Sequence, residues 1–193
     1  EVINTGEKRL VLHHLTRTQL GNDVIADGVN KREFYVTQQN NIASFAEKIH
    51  TGIITNANGE KFTTVVQIGI GGSDLGPRAM YMALENWAKA NNTFKMEAKF
   101  ISNVDPDDAA GVLSTMDLAK TMFILVSKSG TTQETLANEL FVKDFIKKVK
   151  INNIPKNEKA KICHKLKSFS FVLPLSPDVL ENGQTRPFLL LCI

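Results

Sequence analysis

Three strand-sized apolar runs, each followed by a stretch of helix formers, constrain this chain more than any other feature. "TVVQIGI" (64–70) has four Val or Ile among seven residues, "MEAKFIS" (96–102) is a second run, and "TMFILVS" (121–127) is nearly all apolar. Short runs without strict polar alternation are buried on both faces. Behind the first comes "LGPRAMYMALENWAKA" (75–90), with Pro77 near the first turn of the expected helix, where proline is tolerated. Behind the second comes "DPDDAAGVLSTM" (105–116), with its acidic residues at the positive end of a short helix. Behind the third comes "TTQETLANELFVKDFIKKVK" (131–150), where the Thr131–Glu134 spacing matches a capping box. Strand and helix in alternation predict an α/β fold, a three-layer αβα sandwich around a parallel sheet with right-handed crossovers.

Helices are expected ahead of the sheet. Phe34, Ile42, Phe45, Ala46 and Ile49 predict a long helix over 31–54, ended by the turn residues of "TNANGEKFT" (55–63). Leu10, Val11, Leu15 and Leu20 predict a short amphipathic helix, or a helix and turn, within 6–20. The division expected is an N-terminal helical segment at 1–60, an incomplete α/β domain at 61–150, and a divergent tail at 151–193.

A chain of 193 residues suffices for one domain with a real core. A formal charge of +3 is too small an excess to point to nucleic acid. No apolar run approaches the ~20 residues of a membrane span, and the N-terminus lacks a secretory pattern. It also lacks Met, so the sequence is read as a fragment. Cys163 and Cys192 form no CxxC and no Cys/His cluster, so no metal site or disulfide framework is implied and a reducing, cytoplasmic compartment fits.

The chemistry concentrates where two strands end. "GIGGSDLGP" (69–77) carries three near-misses. A dinucleotide fingerprint starting at Gly69 and Gly71 needs glycine where Asp74 stands. A P-loop spanning Gly71 and Gly76 needs Lys-Ser/Thr where Pro77-Arg78 stands. A nucleophile elbow at Gly71 and Ser73 fails at Leu75. All three are rejected. A glycine bend that lets N–H groups approach an anion survives, with the Ser73 hydroxyl beside a helix start. "SKSGTTQ" (127–133) repeats the plan with Ser127, Lys128, Ser129, Thr131 and Thr132 around Gly130. Ser and Thr at strand-to-helix turns are also ordinary caps, and for either loop alone that reading stands level with the functional one. Two such loops at one sheet edge, one with an embedded lysine, favour a phosphate dianion.

"VVQIGIGGSDLGPRAM" and "VSKSGTTQETLANE" resemble the paired phosphate-loop segments of the glucose-6-phosphate isomerase family. "INTGEKRLVLHHLTR" and "FAEKIHTGIIT" are similar to segments that precede them in that family, so the resemblance covers roughly residues 2–150. It implies a SIS-type (sugar isomerase) fold and an aldose–ketose isomerase for glucose 6-phosphate and fructose 6-phosphate. It further implies a cytoplasmic homodimer of glycolysis and gluconeogenesis, without metal or organic cofactor and with no nucleic-acid or membrane partner. Carried onto this sequence, it makes Gly72 and Ser73 substrate contacts at the first loop. At the second, Ser127, Lys128, Ser129 and Thr132 grip the phosphate while Gly130 and Thr131 supply backbone.

Isomerisation through an enediol(ate) also needs a base, a ring opener and a cation for the developing charge. The family supplies these downstream of the matched region, so no catalytic residue is assigned here. Glu134 is read as a cap, and His13, His14 and His50 as packing or surface residues; Arg17 and Arg78 could help shape an anionic pocket, with solvated surface positions the default. His164 lies in the divergent tail. Ser102 and Asp105 stand where they could line the cleft. After residue 150 the family pattern stops, and "FSFVLPL" and "PFLLLCI" fit a truncated or frame-shifted tail. The competing reading is a non-catalytic sugar-phosphate sensor of the same fold, opposed by the lack of a basic recognition helix in 1–60. A dinucleotide-dependent protein is opposed by Asp74.

Overall fold

The computed structural model describes residues 3–4, 9–10, 12–16, 22–26 and 28–153. They fall into two compact units, one up to Lys48 and one from Ile49. Expectations for Arg17, Cys163, His164, Cys192 and the "FSFVLPL" strand lie outside the described residues.

In the first unit, β1 (Ile3–Asn4) pairs antiparallel with β2 (Arg9–Leu10), and a 3-10 turn follows at His13–Thr16. The amphipathic helix expected within 6–20 is therefore corrected at these positions. An isolated helix of this length is marginal, and here the backbone bonds are made across a strand pair and one tight turn that buries Leu15. A second pair, β3 (Ile25–Ala26) and β4 (Val29–Asn30), leads directly into α1 (Lys31–Thr51). Asn30 caps that helix, its Oδ1 accepting from the N–H groups of Arg32 and Glu33 at 3.2 and 3.3 Å.

The second unit alternates as its sequence predicts: β5 (Thr64–Ile68), α2 (Gly72–Ala90), β6 (Glu97–Ile101), α3 (Pro106–Ser114), a 3-10 turn (Leu118–Lys120), β7 (Thr121–Leu125) and α4 (Gln133–Asn153). The three strands form a parallel sheet in the order β6-β5-β7. The expected α/β fold is thus observed. β5, between two neighbours, has four of its five residues buried. Register is fixed throughout, with Ile68 level with Ile101 on one side and Leu125 on the other.

The pleat sends neighbouring residues to opposite faces. On one face, Ile101, Val66 and Ile68 pack with Ala109 and Leu113 of α3 and Val142 of α4, flanked by Phe123, Phe141 and Phe145. Each fully buried Leu, Ile or Val there contributes roughly 1.5–3 kcal/mol. On the other face, Phe100 receives α2: its ring lies 5.9 Å from that of Tyr81, and the Arg78 guanidinium sits 5.0 Å from its centroid. Farther out, α2 presents Leu75, Met82 and Trp87, all more than 60% exposed. Among the described residues no helix is long and apolar enough to cross a membrane.

Candidate functional site

Where parallel strands end, helix N-termini and loops gather at the carboxyl edge. Ile68 and Leu125 are aligned partners, so the chain leaves β5 and β7 at the same level, one strand spacing apart. The two exits touch. Val126 donates its N–H to the Ile68 carbonyl at 2.8 Å, and a Cβ on Gly69 would stand 3.2 Å from the Val126 carbonyl.

The first exit is a glycine bend. Gly71 has φ 58° and ψ −124°, a conformation costly for any residue with a Cβ, and it precedes Gly72, the first residue of α2. The turn is tight: the N–H groups of Ser73 and Asp74 reach back three residues to the Ile70 and Gly71 carbonyls at 3.1 and 3.0 Å. Gly72 is exposed and Ser73 half-buried. Pro77 lies at the sixth position of α2 rather than in its first turn, so the Ser73 carbonyl lacks its usual helical donor. The Gln67 side chain supplies one instead, Nε2 to Ser73 O at 2.9 Å.

The second exit is a hydroxyl cluster. Ser127, buried, shares a 3.0 Å hydrogen bond with Thr132 Oγ1 and accepts from the buried Gly130 N–H at 3.0 Å. Ser129 Oγ lies 3.3 Å from Thr132 Oγ1 and accepts from the N–H and the hydroxyl of Thr131, both at 3.2 Å. Gly130 has φ +72°, the left-handed conformation that closes the bend. Lys128 is exposed beside it. α4 begins at Gln133, and its first carbonyl acceptor is that of Thr132, which receives Leu136 N–H at 3.1 Å. The Thr131–Glu134 capping box is therefore corrected. Thr132 holds the cap position, and the Thr131 hydroxyl turns back to Ser129.

Six hydroxyl and amide groups are thus held in one bend at the positive end of a 21-residue helix, an end that favours negative charge. Thr135, one turn into α4, is 2% exposed, and its Oγ1 has no hydrogen-bond partner. Glu134 is exposed in the same turn.

Arg78, Ser102 and Asp105 are engaged in bonds within the fold. Asp74, 4% exposed, takes two hydrogen bonds from Arg78, at 3.1 Å from Nε and 3.0 Å from Nη2, and Arg78 Nη2 goes on to Ser102 Oγ at 2.9 Å. Arg78 is thereby committed to a buried carboxylate rather than to solvent. Asp105 is the N-cap of α3, accepting from Asp107 and Asp108 N–H groups. His14 and His50 are exposed. Sequence reasoning missed the roles of Gln67, of Asp74 and of Asn138, whose buried carboxamide donates to the Asn103 carbonyl at 3.1 Å. Gln67 was detectable as a lone amide in an apolar strand. Among the described residues no group of three His, Cys, Asp or Glu could hold a metal ion.

A parallel sheet whose adjacent strands open side by side into a glycine bend and a hydroxyl cluster defines a protein of the α/β class with two loops gathered at one sheet edge. The family profile described as phosphoglucose isomerase matches residues 1–168, and the chain belongs to that family. It is 64% identical over 148 residues to a glucose-6-phosphate isomerase of Treponema denticola, covering 77% of this chain and 27% of that protein. It is 49% identical over 174 residues to one of Borreliella afzelii, covering 90% and 32% respectively. The crystal structure of a glucose-6-phosphate isomerase from Chlamydia trachomatis superposes with a TM-score of 0.57 at 34% identity, over 79% of this chain and 27% of that one. The chain therefore spans about a quarter to a third of the length of these relatives.

Proposed function

We propose that this chain is the phosphate-binding portion of a glucose-6-phosphate isomerase, interconverting D-glucose 6-phosphate and D-fructose 6-phosphate. The observation that carries the reading is the Ser127–Ser129–Thr132 hydroxyl cluster at the α4 N-terminus, opening beside the Gly71–Ser73 bend. Each cluster hydroxyl can rotate to present its proton to a phosphate oxygen. Free N–H groups of the helix start and the Lys128 ammonium add positive charge. Gly72 and Ser73 would contact the sugar from the neighbouring strand tip.

Gripping the phosphate fixes the far end of the substrate and orients carbons 1 and 2. Binding energy from a non-reacting group is thereby used to position the reacting one. The proton transfer between C2 and C1, the ring opening and the stabilisation of the enediolate fall to groups downstream of this region. The complete enzyme would act as a cytoplasmic homodimer in glycolysis and gluconeogenesis.

A thermal-shift panel on the chain tests the binding claim, since a ligand that binds only the folded state raises its Tm. Fructose 6-phosphate and 6-phosphogluconate should stabilise it, whereas fructose and NAD should not. In an enzyme completed with the downstream sequence, Ser127→Ala and Thr132→Ala should chiefly raise KM for the phosphorylated sugar. Equal loss of affinity for the phosphate-free sugar would remove the assignment.

A further inference from the structure

Three residues converge on one backbone oxygen, the carbonyl of Ser73. In a regular helix it would accept from the N–H of residue 77, but that residue is Pro77 and has no N–H. Gln67 Nε2 occupies the vacant position at 2.9 Å. Gly69 keeps the approach open: a Cβ there would lie 2.8 Å from the same oxygen. Gln67 is itself 7% exposed and sits in the central strand, paired in register with Phe100 and Ile124. An amide in that place is costly without a partner, and its partner belongs to a residue read as contacting the sugar phosphate.

We infer that Gln67 is a positioning residue. It ties the first turn of α2 to the middle of the sheet, so that Ser73 is held at a fixed height beside the hydroxyl cluster. Pro77 releases the carbonyl, Gly69 clears the path, and Gln67 takes the bond. The inference rests on Ser73 being a substrate contact, but its structural half can be measured independently.

The experiment uses the full chain with Gln67→Met, which keeps the volume and removes the donor, and with Gln67→Met combined with Pro77→Ala, which returns a backbone N–H to the same carbonyl. The readouts are the Ser73 carbonyl 13C shift, amide exchange across residues 73–81, and Kd for fructose 6-phosphate. Gln67→Met should move the Ser73 carbonyl upfield, speed exchange in the first turn, and weaken Kd by about three- to tenfold, the scale of one hydrogen bond. The double variant should bring all three back towards the parent.

A Ser73 carbonyl unmoved by Gln67→Met, or no recovery in the double variant, overturns the inference, since a packing role alone would be insensitive to residue 77. If the parent binds no fructose 6-phosphate, the proposed function falls, while the carbonyl shift and exchange still decide what Gln67 does. If Gln67→Met does not fold, Pro77→Ala alone decides. The new N–H competes for Ser73 O, so the Gln67 side-chain amide protons should shift and exchange faster, and unchanged amide resonances overturn the inference.

Discussion

Ser127 carries two duties in one atom, since its Oγ both meets Thr132 and accepts the buried Gly130 N–H. Ser127→Ala should therefore cost about 1–3 kcal/mol in urea unfolding, the penalty of a buried donor left unpaired. Thr132→Ala, which leaves the Gly130 N–H on Ser127 Oγ, should cost less while weakening phosphate binding as much. Gly71→Ala probes the first bend. Space is open around it, but φ 58° with ψ −124° is strained for alanine, so the loss of about 1 kcal/mol or more is conformational. A Tm equal to the parent's would show that the bend relaxes. At this scale the sequence exposed the hydroxyls and glycines plainly, because each residue type announces its chemistry. It showed Gln67 as a lone amide in an apolar strand but not its partner, because the Ser73 carbonyl is left open by Pro77, ten residues on.

The elements were legible where periodicity was long and obscure where it was short. β5, β6, β7, α2 and α4 follow from apolar runs and helix formers, whereas Arg9 and Leu10 are held as a strand by pairing with residues 3–4, which no local pattern encodes. The α4 cap was misplaced by one residue because Thr131 and Thr132 are equally good caps, and the loop's internal bonding chose between them. Thr135→Val keeps the shape and removes a buried hydroxyl without a partner, so Tm should hold or rise, by up to about 1 kcal/mol in unfolding free energy. A clear drop would reveal a bound partner for Oγ1. Arg78→Ala strips the charge partner from Asp74, whose side chain is 5% exposed, and should destabilise by about 1–3 kcal/mol. Because a third of the Arg78 side chain is exposed, the loss falls short of that for a fully enclosed pair.

For the whole molecule, the pH response near the opposite edge of the sheet can be signed. The Glu60 carboxyl is held below its ordinary value, chiefly by its hydrogen bond from Lys120 and then by Asn56, and Lys120 is held above its own by Glu60. A depressed carboxyl stabilises the fold above its ordinary range, and that contribution is lost as pH falls through the lowered value. The raised lysine contributes fully below its ordinary range and loses its effect as pH rises through the raised one. Both groups are exposed, so Glu60→Gln should flatten the acid limb of the urea-midpoint profile slightly at low salt and leave it unchanged at 1 M salt. A salt-independent effect would mean that the pair is not solvated.

Trp87 is the sole tryptophan in the chain and sits on the outward side of α2, 61% exposed. Its indole should fluoresce at the long wavelengths of a hydrated ring, and iodide should quench it freely. Any polypeptide that settles over that helix will move the emission towards the blue and shield it from iodide, so the protein carries its own unlabelled optical probe for assembly.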